Sequence, residues 1–151
     1  MNWNVPPDFD PSPYEGFVYS ITSKSTGRFY IGKKSFWARR GKGKKQVVKH
    51  SNWKTYKSSC KELKEAIAAD PTDWEYEILH YARDKRSLTY LEVKEQMIHE
   101  VLERTLPDGT RLAYNGNIAG KFYSGRTSSD SIDSKTKARS FPAKYLYRFS
   151  F

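Results

Sequence analysis

Glu95 is the residue of this sequence whose position is hardest to explain without chemistry. Leu91, Glu95, Ile98 and Leu102 are separated by four, three and four residues, so on a helix they share one face. A carboxylate on an otherwise apolar face is costly unless a metal ion or a cation pairs with it. The alternative is an edge position, with a surface pair to His99 or to the surroundings of Lys94. Glu92 and Glu103 flank the stripe and read as solvated. Tyr19 and Tyr30 lie on two strand-like segments, where a tyrosine serves a core as readily as a site. His50, His80 and His99 are too scattered for a metal triad. His80 and His99 read as structural or exposed, and only His50 stands in a stretch with other chemistry. Cys60 has no cysteine to pair with, and no Cys/His cluster shows zinc-ligand spacing.

Charge is the second signal. The 151 residues carry a formal net charge of +10. Residues 28–64 hold thirteen Lys or Arg against one acid, Glu62, whereas residues 65–118 are acidic and residues 119–151 basic. Such an asymmetry suits a polyanion, and the phosphate backbone of nucleic acid is the commonest one. The competing reading is a solvated basic loop. The cations that would meet DNA are Lys33, Lys34, Arg39, Lys42, Lys44, Lys45, Lys54 and Lys57, with Trp37, Trp53 and Tyr56 interleaved. An aromatic content of 15% is enough to build a folded core. No apolar run approaches the roughly 18 residues that cross a bilayer. The first residues, MNWNVPPDFDPSPYEG, lack the pattern of a signal peptide. The expectation is a soluble cytoplasmic protein with no membrane partner; disulfide scaffold and zinc finger are excluded.

The elements that must position these residues follow from periodicity. Residues 1–15, rich in Pro, Asn and Asp, read as an extended arm. Gly16 to Thr22 alternates and predicts a strand, Ser23 to Gly27 supplies turn chemistry, and Arg28 to Gly32 predicts the hairpin's second strand. Residues 33–57 form a basic stretch interrupted by glycines, expected to be mobile without DNA. Ser59 to Glu62 has the form of a capping box before a helix that Asp70-Pro71 ends. Asp73 to His80 predicts a third strand. A long helix is expected near Ser87 to Arg104, terminated by Pro107-Asp108-Gly109. Residues 120–151 read as a Ser/Thr-rich linker and a basic, aromatic tail.

Phe17-Val18-Tyr19, ten intervening residues and Tyr30-Ile31-Gly32 resemble the paired signature of GIY-YIG nucleases. The likeness extends through Arg39-Arg40, the helix from Ser58, the strand Trp74 to His80, Glu95-Gln96-Met97-Ile98 and Tyr114-Asn115, over roughly residues 16–119. It implies an α+β fold, a small three-stranded antiparallel sheet flanked by helices in a domain of residues 16–119. It implies a DNA endonuclease using Mg²⁺ (or Mn²⁺), with Glu95 as the sole protein carboxylate on the metal. Tyr19 would orient or deprotonate the attacking water, and Tyr30 would contact the scissile phosphate or assist that step. Arg40, with Arg39 as runner-up, would stabilise the phosphoryl charge, and Asn115 would anchor the phosphate or the floor of the site. The family's His or Tyr one turn after the arginine falls here on Lys44, leaving His50, Lys54, Tyr56 or Lys57 to assist the base. The substrate implied is double-stranded DNA, with a homodimer as one route to a double-strand break. Size and motif context are similar to phage-encoded members, which implies a host-cell cytoplasm. The runner-up is a nucleic-acid-binding module that keeps the fold and does not cut.

Overall fold

A computed structural model of the chain describes residues 1–120 and the backbone of residues 132–134. Most of the expected linker and tail lies outside the described residues. Strands β1 (Gly16–Ser23) and β2 (Phe29–Ser35) form the antiparallel hairpin, with Tyr19 opposite Gly32 and Ile21 opposite Tyr30. Asp73 ties the turn: Oδ2 accepts from the Ser23 and Ser25 hydroxyls at 2.6 and 2.8 Å, and Oδ1 accepts from Ser25 N at 2.9 Å. Gly27 supplies a φ of +78° there, which glycine reaches without steric cost.

Four further strands and two α-helices complete the described fold. Strands β3 (Trp37–Arg40) and β4 (Val47–His50) pair as a two-stranded ribbon where a shapeless basic stretch was expected. Helix α1 (Lys61–Ala69) is followed by β5 (Trp74–Ala82), antiparallel to β1 on the side away from β2. After α2 (Lys85–Ile98), the short β6 (Ile132–Ser134) adds to the far edge of β5. A three-stranded antiparallel sheet with two helices is the α+β architecture the resemblance implied; β6 extends it to the order β2-β1-β5-β6.

β1 is the central strand, buried on both faces. Phe17, Tyr19 and Ile21 point to the side where Leu63 and Ile67 of α1 pack. Val18 points to the side where Leu88 and Leu91 of α2 pack, with Phe29, Ile31 and Leu79. Residues 1–15 form no helix or strand, yet they belong to this core. Trp3 lies 5.0 Å from the Tyr19 ring and donates its indole N–H to Trp53 O at 2.7 Å.

Both helices depart from their sequence limits. Ser59 does not cap α1: Cys60 holds the N-cap position without a side-chain hydrogen bond, and Ser58 Oγ accepts from Cys60 N at 3.0 Å. α2 begins earlier, because Asp84 caps it through Ser87 N at 2.7 Å. It stops at Ile98, six residues before the expected end. Glu100 takes a φ of +50°, Val101 N donates to Gln96 O at 3.2 Å, and Glu100 N donates to Met97 O at 3.1 Å. That pair of bonds is a Schellman stop, with buried Val101 as its apolar contact.

The outer edge of β2 is covered by residues 112–115. Phe29 N donates to Leu112 O, Tyr114 N to Phe29 O, and Asn115 finishes the job with its side chain. Its Oδ1 accepts from Ile31 N at 3.0 Å and its Nδ2 donates to Ile31 O at 2.7 Å. Asn115 thus acts as one more rung beside the strand that carries Tyr30. Asn115→Ala strands the buried Ile31 N–H and should cost about 2 kcal/mol of folding stability, read from urea unfolding.

Candidate active site

Tyr19 and Tyr30 converge because residue 32 has no side chain. A Cβ there would sit 2.6 Å from Tyr19 Oη and 2.7 Å from Tyr30 Cε1, so the glycine leaves room for both phenols. The two rings lie 6.2 Å apart. Tyr56 meets Tyr19 edge-on at 6.2 Å, and Lys34 Nζ stands 4.2 Å over the Tyr56 ring. Ser58 lies beside both phenols, and Ser59 beside Tyr30. Tyr19 is 1% exposed. Burial pushes its hydroxyl far above the ordinary phenol range, and burial pushes Tyr30 up as well. Both are therefore neutral at physiological pH and work as hydrogen-bonding phenols, not as phenolate bases. Burial also draws the Lys34 ammonium below its usual range.

The carboxylate within electrostatic reach of these phenols is Glu92. Its charge contributes to the upward shift of both Tyr19 and Tyr30. It projects from α2 toward the β2 edge, where Lys33 Nζ lies 3.7 Å from Oε1 and also donates to Thr89 Oγ1 at 2.6 Å. Burial raises the Glu92 pKa, and Lys33 offsets only part of that. Solvation, expected from the sequence, is not what this side chain has. Its signal was a place on the flank of the buried helix face, which periodicity does not distinguish from an exposed one.

Glu95 sits elsewhere. It is 7% exposed, with Oε1 2.7 Å from His80 Nε2 and Oε2 3.3 Å from His99 Nδ1. His99 Nδ1 is also 2.8 Å from Glu95 O. The stripe that singled it out is only half real, since Ile98 and Leu102 are exposed and the buried line runs Leu88, Leu91, Glu95, His99. His80 reaches Glu95 through a register shift in the β1–β5 pairing. Tyr19 faces Ile78 and Val18 faces His80, which turns the imidazole to the α2 side. Of the two expected environments for Glu95, its pairing with His99 is present, but it is buried. Among the described residues, no three His, Cys, Asp or Glu are grouped to hold a metal ion.

The ribbon carries the remaining expected residues away from the phenols. Arg39 grips Glu15 with two bonds of 2.9 and 2.7 Å, which holds its guanidinium above its usual range. Arg40 is exposed at the far end of β3, opposite Val47. His50 stacks on Trp37 at 4.8 Å between centroids. Lys54 lies over Trp53 at 5.8 Å, and Lys57, Lys42, Lys44 and Lys45 are exposed. The structure thus gathers Tyr19, Tyr30, Tyr56, Ser58, Lys34 and Glu92, and leaves Arg40 and His50 on the ribbon. Asn115 underlies the group by bracing β2.

Residues 3–118 match the family model described as "Putative endonuclease segE, GIY-YIG domain". The chain belongs to this GIY-YIG family. No curated protein and no solved structure matches it. The GIY-YIG paired motif is thus the Tyr19–Gly32–Tyr30 convergence, and the family is one of nucleases. No helix among the described residues is long and apolar enough to cross a membrane.

The two glutamates should separate in stability measurements. Glu95→Ala removes a buried carboxylate from two imidazoles and should cost about 3 kcal/mol. Glu92 behaves oppositely. Its folded-state pKa is raised, so as pH rises the unfolded chain ionises first, and stability falls between the ordinary carboxylate range and the raised value. Glu92→Gln should remove that fall and leave the protein at least as stable at neutral pH, as urea unfolding across pH will show.

Proposed function

We propose that this chain is a Mg²⁺-dependent endonuclease acting on double-stranded DNA, with its metal on Glu92. The observation that carries the reading is the convergence of two neutral phenols over Gly32, within electrostatic reach of a desolvated carboxylate. A lone hard-oxygen donor short of positive charge fits Mg²⁺ or Mn²⁺, ions that keep several waters and accept few protein ligands. When bound, such an ion would lower the pKa of a water and neutralise charge on the phosphate.

The chain's own groups supply the rest. Tyr30 and Tyr19, being neutral, orient the attacking water and a phosphate oxygen by hydrogen bonding. Lys34, pulled toward neutrality by burial, stands nearest the tyrosine group and takes the place earlier expected of Arg40. Arg40 and His50 go with the ribbon to DNA contact. That ribbon bears Arg39, Arg40, Lys42, Lys44, Lys45 and Lys49 without an acid between Trp37 and His50. Val47 and Val48 are 62% and 52% exposed on it. A two-stranded ribbon fits the major groove of B-DNA, and its cations would release counterions from the backbone.

Plasmid nicking tests the reading. Wild-type protein should relax supercoiled DNA with Mg²⁺ and not with EDTA, and Glu92→Gln should bind DNA yet fail to nick it. Glu95→Gln should keep cutting at temperatures where it stays folded. Loss in Glu95→Gln with retention in Glu92→Gln would return the metal to Glu95. Binding without nicking by the wild type would favour a non-cleaving module.

The ribbon has a separate test. Replacing Lys42, Lys44 and Lys45 with Gln should reduce the slope of log Kd against log salt by about three units if each meets a phosphate. Fluorescence titrations at several salt concentrations measure it; an unchanged slope would move the DNA away from the ribbon tip.

A further inference from the structure

The β3–β4 ribbon has two faces, and the protein ties only one of them to its body. Directly opposed residues of an antiparallel pair share a face, and successive residues alternate between faces. The register pairs Trp37 with His50, Ala38 with Lys49, Arg39 with Val48 and Arg40 with Val47. One face therefore carries Trp37, Arg39, Val48 and His50, and the other Ala38, Arg40, Val47 and Lys49. The first is fastened at its root. Trp37 Nε1 donates to Tyr14 O at 2.7 Å, the Trp37 ring lies 4.8 Å from that of His50, and both Arg39 bonds go to Glu15. Main-chain bonds from Phe36 N to Glu15 O at 3.0 Å and from Ser51 N to Phe36 O at 2.8 Å close the root. On the other face Arg40, Val47 and Lys49 are exposed, Val47 at 62%. Adjacent arginines thus have opposite fates: Arg39 is spent on Glu15, and Arg40 is turned away from it.

The outer face mixes chemistries that a phosphate surface does not need. Arg40 and Val47 stand on one rung, a guanidinium beside an apolar side chain. These suit the two kinds of group that bases offer in the major groove. Guanine O6 and N7 accept a bidentate guanidinium, and the thymine methyl takes an apolar contact. Strands of four residues span roughly 13 Å, and the groove, about 12 Å wide, admits a two-stranded ribbon. We infer that Ala38, Arg40, Val47 and Lys49 form a base-reading face, with Arg40 on a guanine and Val47 on a thymine methyl. The small side chain of Ala38 lets the backbone approach the base edges, and the other ribbon cations, with His50, are left to the phosphates. The inference rests on the double-stranded DNA reading above and adds to it a preference for sequence.

The test is selection from duplexes carrying a randomised segment, with the full chain in EDTA, followed by sequencing of the bound DNA. Wild type should enrich a guanine and a thymine at fixed positions. Arg40→Gln should lose the guanine in favour of adenine, the base that glutamine pairs, with relative affinities changed about 10- to 100-fold. Val47→Ser should erase the thymine, while Val48→Ser, on the fastened face, should keep both bases. Wild-type binding without base enrichment would overturn the inference. So would retention of the guanine by Arg40→Gln or of the thymine by Val47→Ser, or an equal loss in Val48→Ser. Selection in EDTA stands apart from cleavage. A wild type that selects bases but does not nick plasmid with Mg²⁺ supports the inference and removes the nuclease reading; nicking without base selection does the reverse.

Discussion

The close approach of two phenols across Gly32 is the constraint on which the rest of the molecule depends. A side chain at that position would collide with Tyr19 and Tyr30, rigid rings that cannot step aside as a flexible chain end could. Tyr19 must then stand on the middle strand of the sheet, where it is stripped of water and kept neutral. Tyr30 must stand on the strand beside it, and that strand must not fray. The backing by residues 112–115 follows from that need. An open edge at Ile31, next to Tyr30, would expose unpaired backbone, and Asn115 closes it with a side chain in place of a strand.

What the sequence disclosed depended on whether a pattern was local. Alternation along Phe17, Tyr19 and Ile21 reports burial by a period of two, and the hairpin turn has its own residues. The β1–β2 hairpin and the strand at β5 were therefore legible, and the α+β class followed from the family resemblance. The different surroundings of Glu92 and Glu95 were not. Helical spacing tells which residues share a face, but the face of α2 meets two environments. Its centre packs on the sheet beside His80, and its flank overlooks the edge of β2. Only the placement of β2 decides that the flank is the side of the phenols. Val101 and Leu102 continued the apolar period and so prolonged the helix on paper. Glu100, at a position more often held by glycine, hid the stop. The ribbon was obscured for another reason: its strands, Trp37–Arg40 and Val47–His50, each set two uncharged residues before two basic ones, and neither face is buried enough to leave a period of two.

His80 and His99 show what a buried carboxylate can gather around it. A lone acid on an apolar stripe demands a counterpart, and the inference that something must pair with Glu95 was sound. The partners proved to be two imidazoles, one adjacent on the helix and one brought in by an irregularity of strand pairing that no local pattern announces. The same physical demand at Glu92 is met only in part, by a lysine at 3.7 Å. In the proposed reading, the carboxylate with two partners serves the structure and the less fully paired one binds. That difference, more than the identity of the residue, separates the two glutamates.

Charge in this molecule is divided by solvent exposure. The ribbon keeps its cations in water, where each attracts a phosphate over about a Debye length, salt weakens them all, and none is costly to maintain. The tyrosine group holds few charges, and each is desolvated: Lys34 drawn toward neutrality, Glu92 drawn toward protonation. Interactions at the second place are strong and short in range, which suits discrimination of geometry; at the first they are weak and long in range, which suits capture of a polyanion. Merging the two would defeat both. In the proposed reading, cations as dense as those of residues 39–49 beside Glu92 would compete with a metal ion for the carboxylate. Setting them on a ribbon that leaves the body after β2 keeps attraction for the polyanion without that competition.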